Sequence, residues 1–406
     1  MSVGLSMAII SVVKLTLLLC ALCVLLNQLR QTSDVSVKLK AEAQRFTPVM
    51  VLIIWTTFAL SLLWTTAPDA DALGSLAKYG KLLLIVLLMA LIRSRREAIH
   101  ALGWFISAQM FLVASSWALF FQIPIPWATS NMALQEYAVF SSYLDQGIMG
   151  AVLAATCWHL RNFAPGRFGK QVAIAAAIFA LFNVLFVLSG RSGHAVAIAM
   201  LSLAIMWQLP KRFRGLILLL PFVLALVLFL SSSKVRDRLT AVKNDVQSYS
   251  ADHNSVTSSG IRLGLWQRAI GIVSDYPLAG RGVGSWSTEY NRLEREKNPA
   301  HIPINGNGNP HQEYLQWGVQ LGLPGIALLW GLFGSVFHDT RRMEPAVARA
   351  TQSTLVALMV ACLFNSSLYD ALIGDFFCVA LGLLLALGAY RQPTADIERS
   401  SQRRTD

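Results

Sequence analysis

Charged residues are scarce in this sequence. Asp, Glu, Lys and Arg make up 14% of its 406 residues, whereas a soluble domain carries about 25%. Hydrophobic residues make up 55%, and they fall into repeated runs near the ~20 residues that cross a bilayer as a helix. The composition therefore excludes an ordinary soluble enzyme and predicts an all-α, polytopic membrane helical bundle.

The apolar runs predict about 11–12 transmembrane helices. They cover residues 5–28, 47–66, 75–92, 98–121, 146–160, 170–189, 193–208, 215–232, 313–338, 348–368 and 371–390. No small-residue cleavage site follows the first run, so we interpret it as a retained span and not a signal peptide. The predicted organisation is an N-terminal transmembrane block (1–230), a polar loop (231–312), a C-terminal transmembrane block (313–390) and a polar tail (391–406).

Cysteine is also sparse. All five cysteines lie in apolar runs, namely Cys20, Cys23, Cys157, Cys362 and Cys378. The polar loop contains none, so no disulfide is predicted there. The Cys20-x-x-Cys23 pair lacks the second Cys/His pair of a zinc site, and we interpret it as ordinary apolar span sequence.

Lys and Arg are absent from residues 122–145 and 369–376, which are connections on one predicted side. The alternating connections hold the basic residues, among them Arg45, Arg93, Arg95, Arg96, Arg161, Arg167, Lys211, Arg212, Arg341, Arg342 and Arg349. By the positive-inside rule these connections and the tail face the cytoplasm. The net charge of +12 is therefore mostly a topology signal, which argues against nucleic acid binding and places the polar loop outside.

The polar loop contains two predicted helices. Residues 261–275 place apolar side chains at helical spacing, and Ser285 is positioned to cap a second helix that runs to Lys297. Glycine-rich turns at 277–284 and 305–310 flank the second helix. The turn at 305–310 leads directly to His311, where the next apolar run begins.

Several cations are candidates for binding an anion. Arg191 lies in Ser-Gly-Arg-Ser-Gly, in a short connection on the external side, where topology disfavours a positive charge. Arg262 opens a predicted helix, where a cation opposes the helix dipole. Arg281 lies among glycines, whose backbone N–H groups could join it around a phosphate. Lys81, at the external end of a span, is either a ligand or an interfacial anchor.

His311 is the candidate general base. It follows a glycine-asparagine turn and Pro310 and stands at the membrane surface. An unperturbed imidazole titrates near pH ~6.5 and can accept a proton from a hydroxyl at neutral pH. Gln312 and Tyr314 are weaker candidates for orienting an acceptor. Asp69-Ala70-Asp71 could hold a divalent cation, but it also has the pattern of a helix start, and no metal is expected.

Three motifs in this order resemble the O-antigen ligase family. They are Ser189-Gly190-Arg191-Ser192-Gly193, a long loop with Arg262 and Asp275–Gly282, and Asn309-Pro310-His311-Gln312-x-x-Leu315-Gln316. The resemblance covers about residues 191–365. One departure is Gln312, where many relatives carry Asn. The resemblance implies a GT-C-like fold and a site on the periplasmic face of the bacterial inner membrane.

The resemblance also implies a reaction. The enzyme would transfer a glycan from undecaprenyl diphosphate to a hydroxyl of the lipid A-core oligosaccharide. Both of these substrates would be embedded among the membrane lipids. His311 would match the family's essential histidine, and Arg191 and Arg262 its essential arginines, without any cofactor or metal. Two alternatives remain open. An O-antigen polymerase would use the same donor. A transporter or flippase would predict internal repeats and several charges within spans, whereas the sequence shows no repeat and its clustered charges lie at one face.

Overall fold

A computed structural model describes residues 45–140, 142–210, 212–213, 215, 219–231, 258–297, 299–300 and 308–390. The first apolar run, Cys20, Cys23 and the tail lie outside the described residues. Within these ranges the regular secondary structure is helical, which confirms the predicted all-α class.

Each of the ten apolar runs within these ranges corresponds to a helix. The α-helices are α1 (Phe46–Leu60), α2 (Asp69–Tyr79), α3 (Leu83–Leu91), α4 (Arg95–Phe120), α5 (Ala133–Glu136), α6 (Tyr143–Leu160), α7 (Gly166–Phe182), α8 (Arg191–Gln208), α9 (Leu220–Ser231), α10 (Ser258–Asp275), α11 (Trp286–Lys297), α12 (Glu313–Thr340), α13 (Pro345–Phe364) and α14 (Ala371–Gly388). Short 3-10 or π turns extend α1, α2 and α7.

In the part of the chain that the structure describes, seven helical segments are long and apolar enough to cross a membrane. They are Phe46–Leu63, Asp69–Leu91, Arg95–Phe120, Gly166–Val187, Glu313–Thr340, Pro345–Phe364 and Ala371–Gly388. The multi-pass membrane bundle is confirmed, and the number of 11–12 spans predicted for the whole chain stays a prediction, because the first apolar run lies outside these ranges. The 18-residue helices α6 and α8 bring polar residues such as Asp145 and His194 into the bundle, and α9 has 12 residues.

The core lies where α6, α12, α13 and α14 meet, and α14 is almost wholly buried. Helix α6 packs against α8 through Gly147 and Gly193: a methyl group on Gly193 would lie 2.9 Å from the Gly147 Cα. Gly190 also lies against the backbone of Tyr143 and Leu144. Because the glycines around Arg191 have no side chains, α6 can pack closely against this part of the chain. This close packing fixes the start of α8 beside the start of α6.

Basic connections gather at one end of the bundle. Arg45 donates to the Leu385 carbonyl at 3.1 Å, near the end of α14. Arg95 donates to the Tyr390 carbonyl and pairs with Glu344 at 3.0 Å. We call this the basic end. Its existence agrees with the predicted alternation of charge between the two sides.

Both predicted helices of the polar loop are present, as α10 and α11. Ser285 precedes α11, but its buried hydroxyl makes no hydrogen bond among the described residues, so the predicted side-chain cap is wrong. The glycine-rich turn between α10 and α11 is held by α12 and by the residues after α1. Gly282 has a φ of 83°, and a methyl group on it would lie 2.3 Å from the Thr65 Cα. This turn ties the polar loop to the bundle.

Candidate active site

His311 lies at the end of the bundle opposite the basic end, directly before α12. It adopts a left-handed conformation with a φ of 53°. Its backbone N–H donates to Asn309 Oδ1 at 2.8 Å, and its ring Nδ1 lies 3.2 Å from Asn365 Oδ1. A carboxamide oxygen only accepts, so Nδ1 carries the proton and Nε2 remains the acceptor.

Asp370 holds both asparagines. Asn309 Nδ2 donates to Asp370 Oδ1 at 3.0 Å, and the Asn365 side chain also donates to this carboxylate. Each amide therefore turns its oxygen toward His311 and its N–H groups toward Asp370. Burial raises the pKa of Asp370 above its ordinary value, and the charges of His311, Lys81 and Lys78 oppose that shift. The sequence reasoning missed Asn365 and Asp370.

Glu313 fixes the loop that carries Asn365 and Asp370. Its fully buried carboxylate accepts from the backbone N–H groups of Leu368 at 2.7 Å and Tyr369 at 3.2 Å. It also accepts from Trp317 Nε1 at 2.7 Å. Because Glu313 is the first residue of α12, these bonds set the position of His311 relative to the loop before α14.

Arg191 and Arg262 are brought together by the fold. Arg191 is the first residue of α8, and Arg262 lies in the second turn of α10. Burial lowers the pKa of the Arg262 guanidinium, the charge of Arg191 lowers it further, and Tyr143 acts in the opposite direction. Two half-buried cations that repel each other are stabilised by an anion between them.

The start of α6 connects the arginines with the histidine. Tyr143 lies within electrostatic range of Arg262, and Asp145, two residues further along α6, lies within range of Asp370. The starts of α6, α8, α12 and α14 thus share one end of the bundle, where the positive ends of helix dipoles favour negative charge. Among the described residues, no cluster of three or more His, Cys, Asp or Glu side chains could hold a metal ion.

Lys81 reaches the same region but is engaged with backbone. Its buried ammonium donates to the carbonyls of Tyr369 at 3.1 Å and Asp370 at 2.7 Å. Lys78 lies over the Tyr369 ring at 4.0 Å. These contacts hold the loop that carries Asp370, and a contact between Lys81 and a diphosphate stays a prediction.

Arg281 does not join His311 and the two arginines. Its Nε donates to Glu289 at 2.8 Å, and its guanidinium lies over the Tyr276 ring. The backbone N–H groups of Arg281 and Gly282 donate to the carbonyls of Val319 and Gln320. These backbone donors are used within the protein, and the contact of Arg281 with a phosphate stays a prediction.

The two weaker candidates also have structural contacts. Gln312 caps α12, and its Oε1 accepts from the Leu315 N–H at 2.6 Å. The Tyr314 hydroxyl donates to the Met359 carbonyl at 3.2 Å, and its ring packs near Trp330 and Phe333. These contacts support the start of α12, and the role of Gln312 and Tyr314 in orienting an acceptor stays a prediction.

The part of the chain that contains His311 and the two arginines is similar to known proteins. Residues 175–330 match the sequence model of a family described as O-Antigen ligase. This part of the chain is therefore similar to an O-antigen ligase domain. The matched region includes Arg191, Arg262 and His311, whereas Asn365 and Asp370 lie beyond it. The recognition of the O-antigen ligase family from the motifs is confirmed.

Similar proteins cover parts of this chain. An O-antigen ligase of Escherichia coli K12 is 31% identical over 130 residues, 32% of this chain and 31% of its own length. An uncharacterized protein of Haemophilus influenzae is 28% identical over 111 residues, 27% of this chain and 28% of its own length. The matches thus span about a third of these relatives. A chain of a peptidoglycan synthase complex aligns with a TM-score of 0.43 and 17% identity, over 85% of this chain and 97% of its own.

Proposed function

We propose that this protein is a glycosyltransferase of the O-antigen ligase type. It would transfer an O-antigen glycan from undecaprenyl diphosphate to a hydroxyl of the lipid A-core oligosaccharide. The observation that carries the proposal is the hydrogen bond from His311 Nδ1 to Asn365 Oδ1. This bond leaves Nε2 as a proton acceptor at the end of the bundle where Arg191 and Arg262 meet.

In the proposed reaction His311 is the general base. Its Nε2 takes the proton from the acceptor hydroxyl, and the hydroxyl oxygen forms a bond to the anomeric carbon of the donor glycan. The bond between that carbon and the diphosphate oxygen breaks as the new bond forms. Direct displacement of this kind inverts the anomeric centre.

Arg191 and Arg262 serve the leaving group. The diphosphate departs with the bonding electron pair and gains negative charge, so it needs charge stabilisation more than a proton. Two guanidinium groups provide charge-assisted, bidentate hydrogen bonds, each contributing roughly 1.5–3 kcal/mol. A pair of arginines that already repel each other loses that repulsion when a diphosphate binds between them, and no metal ion is required in this scheme.

The location is part of the proposal. Positive charge gathers around Arg45, Arg95 and Arg349, so the positive-inside rule assigns the basic end to the cytoplasm. The opposite end, with His311, would face the periplasm of a bacterial inner membrane. Both substrates are anchored in lipid and would enter the site sideways from the bilayer.

The proposal is tested by reconstituting the full chain with undecaprenyl-diphosphate glycan and lipid A-core. The expected product is lipid A-core bearing the glycan, absent with His311→Ala and unchanged by EDTA. Transfer to a second undecaprenyl-linked glycan would instead identify a polymerase. Loss of activity in EDTA that Mg²⁺ restores would contradict the metal-independent scheme, and full activity of His311→Ala would contradict the base.

A further inference from the structure

A polar pocket opens at the basic end of the bundle, at the other end of α6 from the candidate active site. It has a cavity volume of about 310 Å³, within the ~300–1,000 Å³ that small-molecule sites occupy. It lies between the ends of α6 and α8 and the start of α13, and its wall includes His159, Arg161, Gln208 and Arg349.

The charge of this pocket suits an anion. Arg161 and Arg349 both line it, and both act electrostatically on His159. The acid in the wall, Glu344, pairs with Arg95 at 3.0 Å. Arg161 is held over the Trp158 ring at 4.4 Å. The pocket therefore presents fixed positive charge, and its carboxylate is already neutralised.

His159 adds a polar group that needs a partner. Its side chain is 6% exposed, and among the described residues no group hydrogen-bonds to its buried Nε2. The ring lies edge-on to Trp207 with centroids 4.9 Å apart, which fixes its orientation. Buried polar atoms in folded proteins have hydrogen-bond partners. The residue itself lines the pocket beside Arg161 and Arg349.

An apolar groove continues from the polar pocket. It has a volume of about 220 Å³, runs between α6, α7 and α8, and shares Gln208 with the pocket. Its walls include small residues such as Ala154, Ala177 and Ala204. Ile178 and Ile205, which also line it, are 49% and 36% exposed on the outer surface. The groove therefore opens toward the surrounding lipid.

We propose that the polar pocket and the groove together bind one anionic glycerophospholipid from the leaflet at the basic end. The phosphate lies between Arg161 and Arg349, beside His159, and an acyl chain fills the groove. A free phosphate has no acyl chain and would leave the groove empty. A zwitterionic lipid carries a positive group in its headgroup, which the two arginines would repel. The site is distinct from the candidate active site and does not depend on the proposed reaction.

The test is a lipid titration of the detergent-solubilised full chain, read by native mass spectrometry. The probes are phosphatidylglycerol, phosphatidylcholine with the same acyl chains, and inorganic phosphate as a competitor. Arg349→Gln removes one phosphate ligand, and Ala204→Phe fills the groove without changing charge. The matched controls are Arg342→Gln, an exposed arginine at the same end, and Val172→Phe, on the exposed face of α7.

Phosphatidylglycerol should bind wild type in preference to phosphatidylcholine. Arg349→Gln should weaken its binding about fivefold, the effect of one basic residue near a lipid phosphate. Ala204→Phe should weaken it while both controls bind as wild type, and Arg349→Lys should restore part of the loss. Equal binding of both lipids, or unchanged binding by Ala204→Phe, overturns the proposal. If Arg349→Gln does not fold, the binding of phosphatidylglycerol to Ala204→Phe decides whether the proposal holds.

Discussion

The ring Nδ1 of His311 lies 3.2 Å from Oδ1 of Asn365, the residue that ends α13. A hydrogen bond from the Asn365 side chain also opposes the raised pKa of Asp370, which agrees with an amide whose oxygen faces the imidazole. The histidine was predicted from its sequence position, and its orientation comes from a residue that no motif singled out. This relationship makes Asn365 a positioning residue for the proposed base.

Asn365→Ala should lower kcat by about 10–100-fold, the usual cost of losing a group that orients a functional histidine. The acceptor for Nδ1–H is lost, so the imidazole can rotate or exchange tautomers while the donor site remains. KM for the donor should therefore change little, whereas the pH profile of kcat should shift. Asn291→Ala on α11 is the control. A purely structural role would lower the amount of folded protein and leave kcat and its pH profile unchanged.

Arg262→Gln and Arg191→Gln should each reduce kcat/KM by roughly 10–100-fold, since a hydrogen bond to a charged group contributes about 1.5–3 kcal/mol. Lysine at either position should recover part of the activity, because the charge remains but the bidentate geometry does not. Steady-state kinetics with the lipid-linked donor measures the effect.

The control for charge alone is Arg295→Gln, an exposed arginine on α11. It should behave as wild type in the same assay. If Arg262→Gln and Arg295→Gln gave the same kinetics, the pair of arginines would have no role at the diphosphate.

Asp370→Asn should change the pH dependence of stability. Burial raises the pKa of the Asp370 carboxyl, so the folded state binds its proton more tightly than the unfolded state. The stability linked to that proton is fully present below the unfolded pKa and is lost as pH rises through the higher folded pKa. The Tm of wild type should therefore fall relative to Asp370→Asn as the pH rises from acid toward neutral. A pH-independent difference would contradict this.

Arg281→Gln should destabilise the fold more than it weakens donor binding. Burial of Glu289 alone would raise its pKa, but hydrogen bonds from Arg281, Arg292 and Thr66 lower it overall. Removing Arg281 leaves this buried carboxylate with fewer donors, at a cost on the order of 1–3 kcal/mol in the free energy of unfolding. Thermal unfolding should show a lower Tm with an unchanged donor KM. An unchanged Tm with a raised KM would restore Arg281 as a diphosphate ligand.

Helix positions followed from the sequence because apolar length and spacing are local properties. The runs at 98–121 and 371–390 became α4 and α14 with ends shifted by a few residues. Arg191 and His311 were candidates because a charge or imidazole at the edge of an apolar run has few structural reasons to be there. Arg262 was a candidate because a cation at a helix start opposes the helix dipole. Asp370 carried a similar signal, as a carboxylate at the start of a span in a connection without Lys or Arg.

The surroundings of other candidate residues could not be predicted from the sequence, because identical side chains meet different partners in the folded protein. Arg281 and Arg262 look alike in sequence, yet the fold gives Arg281 a buried carboxylate partner and places Arg262 beside another cation. Tyr314 follows the histidine motif but turns into the bundle toward Met359. Which of these environments a side chain meets depends on contacts between helices far apart in the chain.

The sequence by itself determined that this is a multi-pass helical membrane protein with its basic residues gathered on alternate connections. Hydrophobic length and charge distribution decide those properties one segment at a time. Only the tertiary structure decided which polar residues meet. Packing of α6 against α8 through Gly147 and Gly193 sets Arg191 in place, and Glu313 draws the loop before α14 to His311. Hydrogen bonds and charge interactions act over a few ångströms in space, whatever the distance along the chain.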